Sequence, residues 1–266
     1  MTYECIGEYA VKPYYIEGIC LNVFSLEELM YYLKGNAYLL DATLPDVGLV
    51  RFIEEELKLP ELAEELKRII RRCSGAADFV LAIMAYGSYL NEEEMKELRE
   101  IIEGNEDSRG EVRKKTRGDF FFINGRYAAA VEEYQEALEE AGEGDADFRA
   151  ELYGKLGSAY AKAFLFADAA RCFEEEIALR KTRDAELKYL LALKCSTDRM
   201  SYQDGVLQMH PEPDVVEEAE RLYEKAVSEA EEKLKELRRL RASDHAAFAR
   251  QADAVIRSFK DGYRRK

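Results

Sequence analysis

The sequence predicts an all-α protein, and three observations lead to this prediction. Apolar residues make up 47% of the 266-residue chain and charged residues 35%, a balance typical of globular helical proteins. Apolar positions recur at helical spacing between recognisable helix starts and stops. After residue 111, one pattern of small and aromatic residues occurs twice. We therefore expect any sheet to be confined to residues 1–25.

The N-terminal residues contain the region that most resembles a strand. Residues 14–24 are rich in β-branched and aromatic side chains, and Pro13 precedes them. The same residues also suit a short extended leader that packs on the helices after it. The sequence leaves both interpretations open.

A bundle of about five helices is predicted to follow the leader. Ser25 and Asn91 each precede a glutamate at the third position after them, which is the spacing of a capping box. Pro60 suits the first turn of a helix, and the almost wholly apolar run 76–86 predicts a buried helix. Gly104–Asn105 predicts the end of the last helix.

Negative charge is concentrated in this N-terminal part. The chain has a net charge of -15, and residues 1–107 carry 22 acidic against 10 basic side chains. We therefore predict an acidic helical domain over residues 1–106 and no nucleic-acid partner, since such a surface repels a polyanion. Residues 237–266 carry nine basic and three acidic side chains, which suits either the end of a helix or a basic docking patch.

The second half of the chain contains an internal repeat with an offset of 39 residues. We expect its glycines and alanines to let two helices approach closely, while its aromatic side chains fill the space around them. The first copy consists of Gly118, Phe121, Tyr127, Ala130, Tyr134, Ala137 and Leu138, and the second of Gly157, Tyr160, Phe166, Ala169, Phe173, Glu176 and Ile177.

This pattern resembles the tetratricopeptide repeat (TPR), in which a small residue and an aromatic are followed by an Ala-x3-Phe element on the second helix. Ala219 and Tyr223 belong to a third, interrupted copy. The resemblance covers about residues 111–230. It implies a helical-hairpin array within a domain of residues 107–266, with an insertion near 196–214 and a C-terminal amphipathic helix that caps the array. Glu176 departs from the pattern, which usually has a small residue there.

The resemblance also implies a partner-binding surface, because TPR arrays bind extended peptides or helices on the concave surface formed by the first helix of each pair. By position, this surface includes Lys115, Asp119, Phe122, Ser158 and Lys162. Phe122 is the expected anchor, since it follows two other phenylalanines and successive helical residues turn by about 100°. The alternative is that Phe122 packs beneath the N-terminal helices. A clamp for a C-terminal carboxylate is not expected, because asparagine is needed where this chain has Asp119.

The sequence contains no recognisable catalytic, cofactor-binding or metal-binding motif. Its two histidines, His210 and His245, stand apart, and no nucleotide, hydrolase or metalloprotease fingerprint occurs. Five cysteines occur without a C-x-x-C pair, which argues against a disulfide framework or a zinc site. No stretch is long and apolar enough to predict a membrane span. We therefore expect a cytoplasmic protein with no catalytic residues, no cofactor and no metal.

These observations favour a non-catalytic scaffold or adaptor that binds a peptide or a protein segment. A peptide-sensing bacterial regulator is an alternative, because some quorum-sensing regulators also place a helical N-terminal domain before such repeats. An unrecognised enzyme is a second alternative, and it would need a deep polar pocket with converging titratable groups. The sequence does not indicate the identity of the partner or the oligomeric state.

Overall fold

The computed structural model describes residues 6–16, 21–41, 44–196 and 199–264, apart from the side chains of residues 199–201 and 258–264. These residues form thirteen α-helices and one two-stranded sheet, and 78% of the structure is helical. The predicted all-α class is confirmed. The chain divides into two compact units, residues 1–117 and 118–266. The boundary predicted after residue 106 falls at the end of a helix.

A short β-hairpin stands near the start of the first unit. Strand β1 (Tyr14–Ile16) pairs antiparallel with β2 (Leu21–Val23), and Ile16 lies opposite Leu21. The predicted strand region therefore contains two strands. The residues that join them, 17–20, lie outside the described ones.

Five helices follow in the first unit: α1 (Leu26–Gly35), α2 (Val47–Glu55), α3 (Pro60–Arg72), α4 (Gly75–Tyr86) and α5 (Glu92–Glu106). Helix α2 packs on α3, α3 packs on α4, and α4 packs on α5. The apolar run of α4 lies in the core, as predicted: Phe79, Val80, Ile83 and Met84 are completely buried.

The predicted capping box at Asn91 forms completely, whereas at Ser25 the Glu28 side chain accepts from the Phe24 N–H at 2.8 Å instead of from the N–H of Ser25. The Ser25 hydroxyl accepts a hydrogen bond from the Glu28 N–H at 3.2 Å, and both hydrogen bonds of the box form between Asn91 and Glu94. The predicted end of α5 at Gly104–Asn105 is wrong, because the helix continues beyond them. This glycine is not in the left-handed conformation that would stop a helix.

The second unit is an array of helices joined by short connections. Helix α6 spans the division between the units. Helix α7 packs on α8, α8 packs on α9, and α9 packs on α10, so the array is compatible with a helical-repeat fold. The helices are α6 (Gly110–Ile123), α7 (Tyr127–Glu140), α8 (Ala146–Lys162), α9 (Phe166–Leu179), α10 (Arg183–Ser196), α11 (Arg199–Met209), α12 (Pro213–Ser243) and α13 (His245–Arg264).

Glycine allows the two helices of a pair to pack closely at the predicted positions. A Cβ atom at Gly118 would lie 2.5 Å from the Tyr134 ring, and one at Gly157 would lie 2.8 Å from the Phe173 ring. Both distances are shorter than a van der Waals contact, so a larger residue would force the helices apart. The matched alanines of α7 and α9 are completely buried as well.

The insertion predicted near residues 196–214 folds mainly as α11, which packs on α10. At Gly205 the two helices approach so closely that an added Cβ would collide with the Leu193 side chain. Tyr202 of α11 is buried in a core that it shares with Ala219 of α12. The insertion therefore extends the apolar core of the array.

The last two helices extend beyond this core. Residues 224–236 of α12 are exposed, and α13 packs on α12. The apolar face of α13 is only partly covered, because Val255 and Ile256 remain 50% and 48% exposed. Helix α13 thus covers part of α12 and leaves apolar surface of its own in contact with water.

Candidate functional site

The second unit contains a cavity of about 490 Å³, a volume within the usual range for ligand pockets. Its walls come mainly from three alternate helices of the array, α6, α8 and α10, and most of the lining side chains are polar or charged. Helix α6 contributes Asp119, Phe122 and Ile123; α8 contributes Glu151, Gly154, Lys155 and Ser158; α10 contributes Asp184 and Lys188; and Tyr134, Glu176 and Arg180 complete the lining.

A network of three polar side chains joins neighbouring helices at one side of the cavity. The Tyr134 hydroxyl donates to Oδ1 of Asp119 at 2.7 Å, and the Lys155 ammonium donates to the same oxygen at 2.8 Å. The Lys155 ammonium also lies 3.8 Å from a Glu151 carboxylate oxygen. Burial, together with the adjacent Asp119 carboxylate, raises the pKa of Tyr134 well above its ordinary value. Tyr134 therefore acts as a neutral hydrogen-bond donor.

Glu176 places a buried carboxyl group in the cavity lining. It is 6% exposed, and its Oε2 atom is buried without a hydrogen-bond partner in the described residues. Gly154 makes this position possible, because a Cβ atom there would lie 2.6 Å from Oε2 of Glu176. Burial raises the pKa of Glu176 above its ordinary value of 4.5, while the positive charge of Lys188 opposes this shift.

The cations of the lining are held by other carboxylates. Lys155 is paired with Asp119, as described above. The Lys188 ammonium lies 2.5 Å from the carboxylate of Asp184. The Arg180 guanidinium lies 3.7 Å from the carboxylate of Asp147. Within the described ranges, Glu176 is thus the carboxylate of the lining that forms neither a hydrogen bond nor an ion pair.

Three of the five residues predicted to bind a partner line this cavity: Asp119, Phe122 and Ser158. Phe122 is half-buried, and its ring centroid lies 5.6 Å from that of Tyr127. The Ser158 hydroxyl donates to the carbonyl of Gly154 at 2.7 Å, one turn earlier in α8. One side of this serine is therefore already occupied by its own helix.

The other two predicted residues lie elsewhere. Lys162 is exposed in the last turn of α8, one turn beyond the part of the helix that lines the cavity. Lys115 belongs to the first unit, because the division between the units falls within α6. The structure thus places only the middle of the predicted surface around the cavity.

Sequence reasoning did not select Glu176 or Lys155 as site residues. The sequence did contain a signal for Glu176, since this glutamate stands where the repeat pattern has a small residue. The repeat phase does place Gly154 on the same predicted surface as Ser158, which stands four residues later in α8. The charge network of Lys155 depends on contacts between helices, which the spacing within one helix does not indicate.

Neither a metal centre, nor a membrane span, nor a known relative indicates the function of the described residues. The described residues include no group of three or more His, Cys, Asp or Glu side chains arranged to hold a metal ion. Across the same ranges, no helix combines the length and hydropathy that a membrane span requires. Comparisons with protein-family models, curated proteins and solved structures found no match.

Proposed function

We propose that the second unit is a TPR-like array and that the protein is a non-catalytic scaffold or adaptor. In this proposal a peptide or a segment of a protein binds in the cavity formed by α6, α8 and α10. The placement of the cavity carries the proposal, because these helices are the first members of three successive pairs and TPR arrays bind their partners on that surface. The glycine–aromatic contacts within the first two pairs support the same interpretation.

Phe122 is the proposed anchor for the bound segment. Its ring is half-buried and lines the cavity, so a partner would complete the burial that the fold leaves unfinished. Aromatic side chains of this kind often dominate binding energies, while charged neighbours set the register of the partner. The charged side chains around the cavity, such as Asp119 and Lys155, suit that second role.

The cytoplasm is the proposed place of action. Cys73 and Cys195 are exposed and unpaired, which suits a reducing compartment. A scaffold that acts there would meet its partner without crossing a membrane.

Affinity purification from the native host, with mass spectrometry of what is retained, tests the proposal. Phe122→Ala should make the binding free energy of the retained ligand less favourable by about 1–3 kcal/mol, as for a modest hot spot. Phe120→Ala is the matched control, because Phe120 is also half-buried on α6 and does not line the cavity. Mass spectrometry would also distinguish a protein partner from a free peptide.

A stability measurement on Phe122→Ala separates anchoring from packing. Truncation of a partly buried ring should cost the fold about 1–2 kcal/mol, whereas truncation of a core phenylalanine costs about 3–5 kcal/mol. Equal retention of the ligand by the variant and the wild type, or a variant that fails to fold, would overturn the role of Phe122 in the cavity.

A further inference from the structure

The burial of Glu176 destabilises the folded protein unless a partner for its charge is supplied. Transfer of a carboxylate from water into the protein interior is unfavourable when no hydrogen bond or cation compensates for the lost hydration. The matched position of α7 avoids this cost, since Ala137 is completely buried there. Helix packing alone therefore does not explain why this position carries a glutamate.

We infer that Glu176 binds a cationic group of the bound segment, namely the ammonium of a lysine or the guanidinium of an arginine. The inference rests on the proposed function, because it specifies which segment the cavity accepts. A cation that enters the cavity would give the carboxylate the partner that it lacks, through charge-assisted hydrogen bonds. Such pairs are most favourable where water is largely excluded and both groups are fully paired.

The remaining lining suits a long cationic side chain. Four carboxylates and three cations line the cavity, so the carboxylates are in excess. Phe122 adds an aromatic surface for the methylene groups of lysine or arginine, and aromatic rings also attract cations. An anionic ligand is disfavoured, because it would add a further negative charge to a lining in which carboxylates already outnumber cations.

A synthetic library of random decapeptides with acetylated N-termini is a suitable probe, because acetylation removes the terminal ammonium. The library is passed over the immobilised full-length protein at about 0.15 M salt, which screens long-range attraction to the acidic chain. The peptides retained by the wild type are then compared with those retained by Glu176→Gln. A second library with free N-termini would show whether a terminal ammonium binds in the same way.

Glu175→Gln is the matched control, since Glu175 is exposed on the same helix and does not line the cavity. It removes the same unit of charge from the protein. We expect lysine or arginine to be enriched at one position of the retained peptides. The selected peptides should bind Glu175→Gln like the wild type and Glu176→Gln at least about tenfold more weakly, which corresponds to about 1.4 kcal/mol.

Replacement of the enriched lysine by norleucine completes a double-mutant cycle. This change should weaken binding to the wild type and should have little further effect on Glu176→Gln. The inference is overturned if the selected peptides lack lysine and arginine, or if Glu176→Gln binds them as tightly as the wild type. The proposed function would survive that result if Phe122→Ala still weakened the same peptides. It fails, together with the inference, if the wild type retains no peptide.

Discussion

The helix pairs α6–α7 and α8–α9 share their core packing and differ in the cavity that they line. In each pair a glycine of the first helix faces an aromatic ring of the second, Tyr134 in one pair and Phe173 in the other. Only the tyrosine has a hydroxyl, and this hydroxyl donates to Asp119 in the cavity. The repeat therefore preserves the shape of the core while its polar groups vary between copies.

A second difference is an exchange of large and small residues. The first pair has Lys115 on its first helix and Ala137 on its second, and the matched positions of the second pair hold Gly154 and Glu176. The large polar residue thus stands on the opposite helix in the second pair. Gly154 leaves the space that the Glu176 carboxylate occupies. The comparison teaches that a paired exchange can change the lining of the cavity while it leaves the glycine–aromatic packing intact.

The connections within the two pairs differ as well. Gly125 in the first connection and Phe164 in the second are matched positions, and both adopt the left-handed conformation, with φ of 72° and 62°. Glycine adopts it without strain, whereas a phenylalanine does so at a cost. Phe164 is also 80% exposed, so packing compensates little for this strain.

The largest expected effect comes from a change that breaks the shared packing. Gly157→Leu should lower the free energy of unfolding by about 1–3 kcal/mol or more, because a side chain there overlaps the Phe173 ring and overpacking strains both helices. Thermal unfolding followed by circular dichroism measures this loss. Gly104→Leu is the control, since its position in α5 is open and leucine favours helix. An unchanged melting temperature for Gly157→Leu would show that the repeat alignment is wrong.

A smaller change in stability, this time a gain, is expected at Glu176, where the two helix pairs differ. Glu176→Gln should raise the free energy of unfolding near pH 7 by roughly 1–2 kcal/mol, because the amide is uncharged and avoids the cost of a buried charge without a partner. Denaturant titration of the intact protein measures this gain. Glu175→Gln, at an exposed position, should change stability by less than about 0.5 kcal/mol.

The stability gained by Glu176→Gln should depend on pH, because the pKa of Glu176 is raised in the folded protein. The folded protein binds the Glu176 proton more tightly than the unfolded chain does, so the wild type loses stability as the pH rises above 4.5, the ordinary pKa. The loss is complete once the pH exceeds the raised pKa of the folded state. The advantage of Glu176→Gln should therefore be absent below pH 4.5 and should grow as the pH rises towards the raised pKa of the folded state. A constant advantage at every pH would contradict the origin assigned to it.

The smallest effect is expected in the connection between α8 and α9. Phe164→Gly should raise the free energy of unfolding by about 0.5–1 kcal/mol, because relief of the left-handed strain exceeds the extra entropy of glycine in the unfolded chain. The reciprocal change, Gly125→Ala, should lower it by about 1 kcal/mol. Thermal unfolding of both variants measures the two effects. Loss of stability in Phe164→Gly would show that the exposed ring contributes packing after all.

The helices and their close contacts were accessible from the sequence because they depend on local signals. Capping boxes, such as the one that begins at Asn91, act within one turn of helix. The contact of Gly157 with Phe173 follows from a repeated spacing, since the same residues recur 39 positions apart. Phe122 was placed at the cavity by the angle between successive helical residues.

The charges of the cavity were not accessible in the same way. The pairing of Lys155 with Asp119 joins residues 36 positions apart on two helices, and no local pattern encodes it. The isolation of Glu176 could not be foreseen either, because it depends on which cations already have partners in the folded protein. Sequence patterns thus predicted three residues that line the cavity, whereas contacts between helices determine which of the charged groups there have partners.

The most direct test is a measurement of the pKa of Glu176 in the intact wild-type protein. The side-chain carboxyl carbon is followed by NMR as the pH changes, and its signal is identified by its absence from Glu176→Gln. We predict a pKa above 4.5 in the free protein and a lower pKa once a lysine-bearing peptide is bound, since a cation favours the ionised carboxylate. A pKa at or below 4.5 in the free protein would contradict the claim, because it would mean that Glu176 is solvated or already paired.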